Sequence, residues 1–183
     1  MKSNKNKLKE SNKALSFDDV ILKPRYSDIL SRKEIDTSIK LPEHMLDFDI
    51  PLISSPMSTV TEAYMCNAMS NLGGLGIIHR YNTVEFQTKL LSYVSCPNTK
   101  AAAIGVTGDF KERLASLVSE GLTIVCIDVA HGDHILVKNA IEFIKEKYPS
   151  LFIIAGNVAS GEAYARLSSW GANAIRTSVG SGS

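Results

Sequence analysis

One pattern recurs along this chain and leaves few folds open: a short apolar run, a polar or glycine-bearing cluster, then an amphipathic stretch of helical length. It occurs at 75–78 followed by 84–94, at 101–106 followed by 110–119, and at 123–127 followed by 135–148. It occurs again at 152–155, where a turn at Gly156 and Asn157 leads into a helix carrying Ala163, Ala165 and Leu167. An earlier copy starts as a short buried strand at Leu52 and Ile53, followed by Ser54, Ser55, Pro56 and Met57. Thr61 and Glu62 then open a helix with the apolar face Ala63, Met65, Ala68 and Met69. Gly73, Gly74, Gly121 and Gly171 stop helices, and Pro149 stops another. A sixth strand, 174–176, runs into a glycine-serine loop. Strands that are apolar throughout are buried on both faces, and helices between them make the strands parallel.

Two folds share this grammar, an open doubly wound sheet and a (β/α)8 barrel. A barrel needs about 250 residues, so 183 residues would be most of one, ending after the sixth strand. Every strand here ends in a polar or glycine-bearing cluster, and barrels assemble their sites from the carboxyl ends of several strands. An open sheet concentrates such residues at one switch point, and no GxGxxG follows the first strand. The expected fold is therefore an incomplete (β/α)8 barrel over 15–183, after a lysine-rich flexible tail at 1–14. Pro24 makes 15–29 an extended lead-in rather than a helix, and 31–51 reads as mixed and turn-rich.

Composition removes several classes of partner. A net charge of +1 gives no reason to expect nucleic acid, and no apolar run approaches the ~20 residues of a membrane span. The start, MKSNKNKLKESNK, lacks the apolar core of a secretory signal. Cys66, Cys96 and Cys126 are too far apart for a metal knuckle and odd in number for a disulfide framework. Cys126, inside TIVCID, reads as a small apolar residue. A reducing, cytoplasmic location fits best.

The strings SSPMSTVTEAYMCNAMSNLGGLGIIHR, IDVAHGDH, IAGNVAS and VGSGS stand in one order along the chain. Together they resemble the inosine monophosphate dehydrogenase and guanosine monophosphate reductase family of (β/α)8 oxidoreductases, over about 15–183. That family's regulatory module of paired cystathionine-synthase-type domains is absent: a short loop through Pro97 joins Val94 to Ala101. By resemblance, Ser55 and Met57 line the pocket of a purine nucleoside monophosphate, Asn157 and Arg176 belong to the same pocket, and Gly180, Ser181, Gly182 and Ser183 begin its phosphate loop. The resemblance also implies a potassium ion on backbone carbonyls of that loop, at Gly180 and Gly182, and Asp128 against the nicotinamide riboside of NAD, or of NADP in the reductases. A glycine loop offers N–H groups to a dianion, and an acceptor-only carboxylate suits ribose hydroxyls.

Each of these residues also has a plainer reading. Asn157 suits a turn, Asp128 a helix cap, Met57 a core, and His79 and His131 satisfied structural roles. The four motifs in order favour the site; no single residue does.

Departures from the family pattern carry expectations of their own. Ser58 stands where the family usually has aspartate, and Ser178 where a glycine precedes the loop. The sequence ends before the position of the family's catalytic cysteine, which Cys66, Cys96 and Cys126 cannot replace from a helix, a loop and a strand. The expectation is an amino-terminal segment that is insoluble, swapped or completed by a carboxyl-terminal barrel fragment or a homologous subunit, in a tetramer as the family implies. The SSPM string and the VGSGS loop lean to the dehydrogenases of guanosine monophosphate biosynthesis, and the missing regulatory module to the reductases. A non-catalytic nucleotide-binding or decoy subunit is the reading of a different class.

Overall fold

The computed structural model describes residues 19–41 and 46–178, which divide into two units, 19–35 and 36–178. In the first, residues 20–31 have no regular structure, in keeping with Pro24, and one turn of 3-10 helix follows at Arg32–Glu34. Ser31 caps that turn through its Oγ, which accepts the Lys33 N–H. The 1–14 tail and the first residues of the lead-in, 15–18, lie outside the described residues.

The second unit opens with an antiparallel pair, β1 (Ile39–Leu41) and β2 (Leu46–Phe48), in a segment that the sequence marks only as turn-rich. A six-stranded parallel sheet follows: β3 (Ile53–Ser54), β4 (Leu75–Ile78), β5 (Ala101–Ile104), β6 (Ile124–Asp128), β7 (Phe152–Val158) and β8 (Ala174–Thr177). Between them run α1 (Ala63–Asn71), α2 (Val84–Ser92), α3 (Phe110–Ser119), α4 (Ile135–Lys147) and α5 (Gly161–Trp170). The strands lie side by side in sequence order, with none of the order reversal that defines a doubly wound sheet. The sheet curls with its helices flanking it as part of a (β/α)8 barrel.

Strands β4 to β7 are apolar over most of their length because both of their faces are covered. Ile78, Ala102, Ile104, Val125, Ile127, Ile153 and Ala155 pack against Leu91, Leu114, Leu117, Ile141, Ile144 and Leu167 of the helices. The alternate residues, Leu75, Ile77, Ala101, Ala103, Ile124, Cys126, Phe152 and Ile154, form a second core on the opposite face, where Phe48 of β2 joins them. Local chemistry fixes the helix ends: the hydroxyls of Thr83 and Ser160 accept the N–H groups of Phe86 and Ala163, and Gly171 ends α5 at a φ of 105°.

Three expectations change. The strand at Leu52 and Ile53 is not buried: both side chains are more than half exposed, because β3 is a two-residue edge strand paired on one side only. The buried face of α1 is Ala63 and Cys66, with Met65, Ala68 and Met69 only partly covered, and Ala165 of α5 is exposed. Gly156 and Asn157 form no turn. They continue β7 to Val158 through a register shift against β8. Among the described residues no helix is long and apolar enough to cross a membrane.

Helix and sheet approach closely at Gly76, where an added Cβ would lie 2.6 Å from Cys66 Cα. Gly76→Ala should therefore push α1 off β4 and lower stability by about 1–3 kcal/mol in urea unfolding. Gly161→Ala, which meets nothing within 4 Å, should cost nothing. Equal midpoints for the two variants would show that α1 is not packed this closely.

Candidate functional site

The carboxyl end of the sheet holds a row of residues set by strand register. Asp128 of β6 pairs with Gly156 of β7, and Gly156 pairs with Arg176 of β8. Side chains alternate along a strand, so Asp128 and Arg176 stand on the same face as Cys126 and Ala174, away from the helices. Gly156 offers no side chain between them, and Arg176 Nη1 donates across it to Asp128 Oδ1. A Cβ at Gly156 would lie 2.7 Å from both the Cβ and the carbonyl oxygen of Arg176. The pair is largely buried, with side-chain exposures of 28% for Arg176 and 17% for Asp128. Asp128 caps no helix; α4 is capped by His134, whose Nδ1 accepts the Leu136 N–H.

Asn157 sits at the β7–β8 register shift. Such a bulge turns a side chain away from its strand's alternation, and Asn157 Nδ2 donates to the Ser178 carbonyl at 3.1 Å. Its backbone is stitched to the loop after β6: Asn157 N–H donates to Val129 O at 2.8 Å, and Gly132 N–H donates to Asn157 O at 2.7 Å. Gly132 is required there, since a Cβ would meet that same carbonyl oxygen at 2.9 Å. Ser178 N–H donates to Val158 O at 2.7 Å, and Ser178 takes a φ of 94°. That conformation favours glycine, the residue type the family pattern has at this position.

Arg80 is a member of this row that sequence reasoning did not single out. It follows β4, and its side chain passes the end of β5 at Gly105 to reach β6, where Nε donates to the Asp128 carbonyl at 3.2 Å. A Cβ at Gly105 would lie 3.6 Å from Arg80 Nη1. The guanidinium also lies 5.1 Å from the centre of the Tyr81 ring. The sequence signal was there in principle: an arginine just past a strand, with a glycine just past the next. Asp128 thus meets two cations, Arg176 on its carboxylate and Arg80 on its carbonyl.

Ser55 and Met57 follow β3, at the same end of the sheet as this row but on its far edge. Both are exposed, Met57 at 53%, so Met57 is not a core residue. Buried Thr61 fixes their loop by donating through Oγ1 to the Ser55 carbonyl at 2.6 Å. His79 has the structural role: it is buried, its Nδ1 accepts the Tyr81 N–H at 3.1 Å, and its Nε2 lies 3.4 Å from Glu62 Oε1. His131 is exposed, with its ring 6.5 Å from that of His134. Gly180, Ser181, Gly182 and Ser183, the expected phosphate and potassium loop, lie outside the described residues. Among the described residues no group of three or more His, Cys, Asp or Glu side chains could hold a metal ion.

No cysteine of the chain offers a nucleophile to the row. Cys126 Sγ lies 3.9 Å from Arg176 Nη1, but burial pushes its thiol up to about 12, and burial does the same to Cys66. At pH 8 in native buffer a thiol reagent should therefore label only the partly exposed Cys96, and all three cysteines in denaturant. Above the ordinary thiol value of about 8.5 the unfolded chain loses these protons while the folded chain keeps them. Stability should thus fall as pH rises from about 9 towards 12. Rapid native labelling of Cys126 would contradict its burial.

Comparison with known proteins gives a consistent picture. The sequence profile of the IMP dehydrogenase / GMP reductase domain matches residues 14–183. A GMP reductase of Acidovorax sp. (strain JS42) is 33% identical over 169 residues, covering 91% of this chain and 51% of that protein. A GMP reductase of Albidiferax ferrireducens is 34% identical over 173 residues, with the same coverage of each chain. An inosine-5'-monophosphate dehydrogenase of Borreliella burgdorferi is 31% identical over 226 residues, covering 96% of this chain and 55% of that protein. The chain spans about half the length of the curated relatives it matches.

Proposed function

The chain belongs to the IMP dehydrogenase / GMP reductase family, and from that premise we propose that it forms the purine-nucleotide side of an oxidoreductase acting on inosine monophosphate. The reaction is inosine monophosphate, NAD and water to xanthosine monophosphate and NADH. The observation that carries this reading is the Asp128–Gly156–Arg176 row, with Asn157 beside it, at the carboxyl end of a parallel sheet. There Arg176 and Asn157 supply donors to the nucleotide, while Ser55 and Met57 border it from the β3 edge.

The dinucleotide fits Asp128 for a specific reason. Arg176 holds Oδ1 and so orients the carboxylate, and Oδ2 makes no hydrogen bond among the described residues, so it can accept from ribose hydroxyls. The bound nicotinamide would take up the hydride. Gly180 and Gly182 would lend carbonyls to potassium, and Ser183 would meet the phosphate. The attacking thiol comes from none of this chain's cysteines, so turnover needs a further segment or subunit.

A second reading has one observation in its favour. The reductase alignments run almost residue for residue with this chain, whereas the dehydrogenase alignment, at 226 residues, is longer than the 183 residues here and so contains an insertion. On that reading guanosine monophosphate and NADPH give inosine monophosphate, ammonia and NADP.

Calorimetric titration separates the readings. The protein carrying this chain should bind inosine monophosphate, and Arg176→Met should weaken binding at least tenfold. NADH formation from inosine monophosphate supports the dehydrogenase, and NADPH consumption with guanosine monophosphate the reductase. Binding without either reaction, even with a carboxyl-terminal barrel fragment added, would leave a nucleotide-binding subunit. No binding of either nucleotide would overturn the proposal.

A further inference from the structure

We propose that Gln87 and Arg113 are positioning residues of this site: they hold β4 and β5 apart at their carboxyl ends and so deliver Arg80 to Asp128. The inference rests on the purine-nucleotide reading only for the ligand used to test it. The β4–β5 pairing ends at Ile77 with Ala101 and Ile78 with Ala102. Continued by one residue it would bring together His79 and Ala103. A single group stands between these two instead: Gln87 Nε2 donates to the His79 carbonyl at 2.9 Å and to the Ala103 carbonyl at 2.8 Å. A side-chain amide inserted where the next ladder bond belongs is a wedge, and it satisfies both carbonyls that the splay would otherwise orphan.

The wedge is itself held. Gln87 is fully buried, and its Oε1 accepts Arg113 Nη1 at 2.8 Å. Arg113, 6% exposed, also donates to the Asn82 carbonyl at 2.9 Å and to Asp109 Oδ2 at 2.7 Å. Asn82 lies in the loop after β4 and Asp109 at the end of the loop after β5, so one guanidinium ties both loops to the wedge. The charge is matched on the spot, because Arg113 holds the Asp109 carboxyl below the usual carboxylate range.

Between these two loops the Arg80 side chain leaves β4 and crosses the end of β5 to the Asp128 carbonyl. Its Nη groups make no hydrogen bond among the described residues. Asp109 also feels the Arg80 charge but is paired with Arg113, so Arg80 and Arg176 together outweigh the carboxylate of Asp128 and suit an anionic ligand. Gln87 and Arg113 touch no part of the row themselves. Their effect on it passes through the backbone of 79–82.

The test is a double-mutant cycle with NAD as probe. Arg80→Met should weaken NAD binding about tenfold, and Gln87→Glu, which replaces the bridging donor by an acceptor, should weaken it to a similar degree. The double variant should then bind no worse than Arg80→Met alone. Losses that multiply would overturn the proposal, because Gln87 would then act otherwise than through Arg80. Should Gln87→Glu not fold, Arg113→Lys keeps the charge, loses the fork, and enters the same cycle. If the unmodified protein binds no NAD, the purine-nucleotide reading suffers and positioning is read from hydrogen exchange at Arg80 Nε by nitrogen-15 NMR. At least tenfold faster exchange in Gln87→Glu or Arg113→Lys supports the proposal, and unchanged exchange overturns it.

Discussion

Arg176 reaches Asp128 because the strand between them presents no side chain in that row. Gly156 is buried, paired on both sides, and so close to Arg176 that a methyl group would collide with its Cβ and carbonyl. Any other residue would force β8 away from β7 or turn Arg176 out of the row. The largely buried ion pair that results is a poor way to gain stability, since desolvation offsets much of the attraction. It does fix the direction of two charged groups at the mouth of the sheet, as the proposed function requires.

The surroundings are arranged to keep that direction. The loop after β6 is hydrogen-bonded to the end of β7 through Val129, Gly132 and Asn157, and the bulge at Asn157 turns its amide onto Ser178. On the other side Arg80 crosses at Gly105 to the Asp128 carbonyl. Of the glycines at these neighbouring strand ends, Gly156 is the one that a side chain would block, since a Cβ there collides with Arg176 while one at Gly105 would only touch Arg80. The apolar core below, with Cys126, Ile124, Ile154 and Phe152 on the same face, keeps water from the base of the row.

Much of this was legible in the sequence. Five strand–helix alternations imply parallel strands, and the resemblance, whose motifs stand at the carboxyl ends of the strands, singled out Asp128, Asn157 and Arg176 at one end of the sheet. What misled were positions where periodicity carries no information on neighbours. Ile53 is as apolar as any core residue, yet an edge strand two residues long cannot bury it. Gly156 and Asn157 carry turn chemistry, and what keeps them in β7 is the pairing of Gly156 with both neighbouring strands and the hydrogen bonds of Asn157 to the loop after β6. Nothing local singles out Arg80, because its partner is a backbone carbonyl 48 residues away.

The sequence by itself determined the order and type of the elements, because local periodicity, caps and breakers act over a few residues. It also determined which chemical groups stand at the strand ends, and the family to which they belong. Register was decided by the tertiary structure: which glycine lies between which charges, where β7 bulges, and that Gln87 takes the place of a ladder bond. A shift of one residue between two strands would leave every local preference intact and put Asp128 and Arg176 on opposite faces. Only the packing of both sheet faces at once excludes that shift.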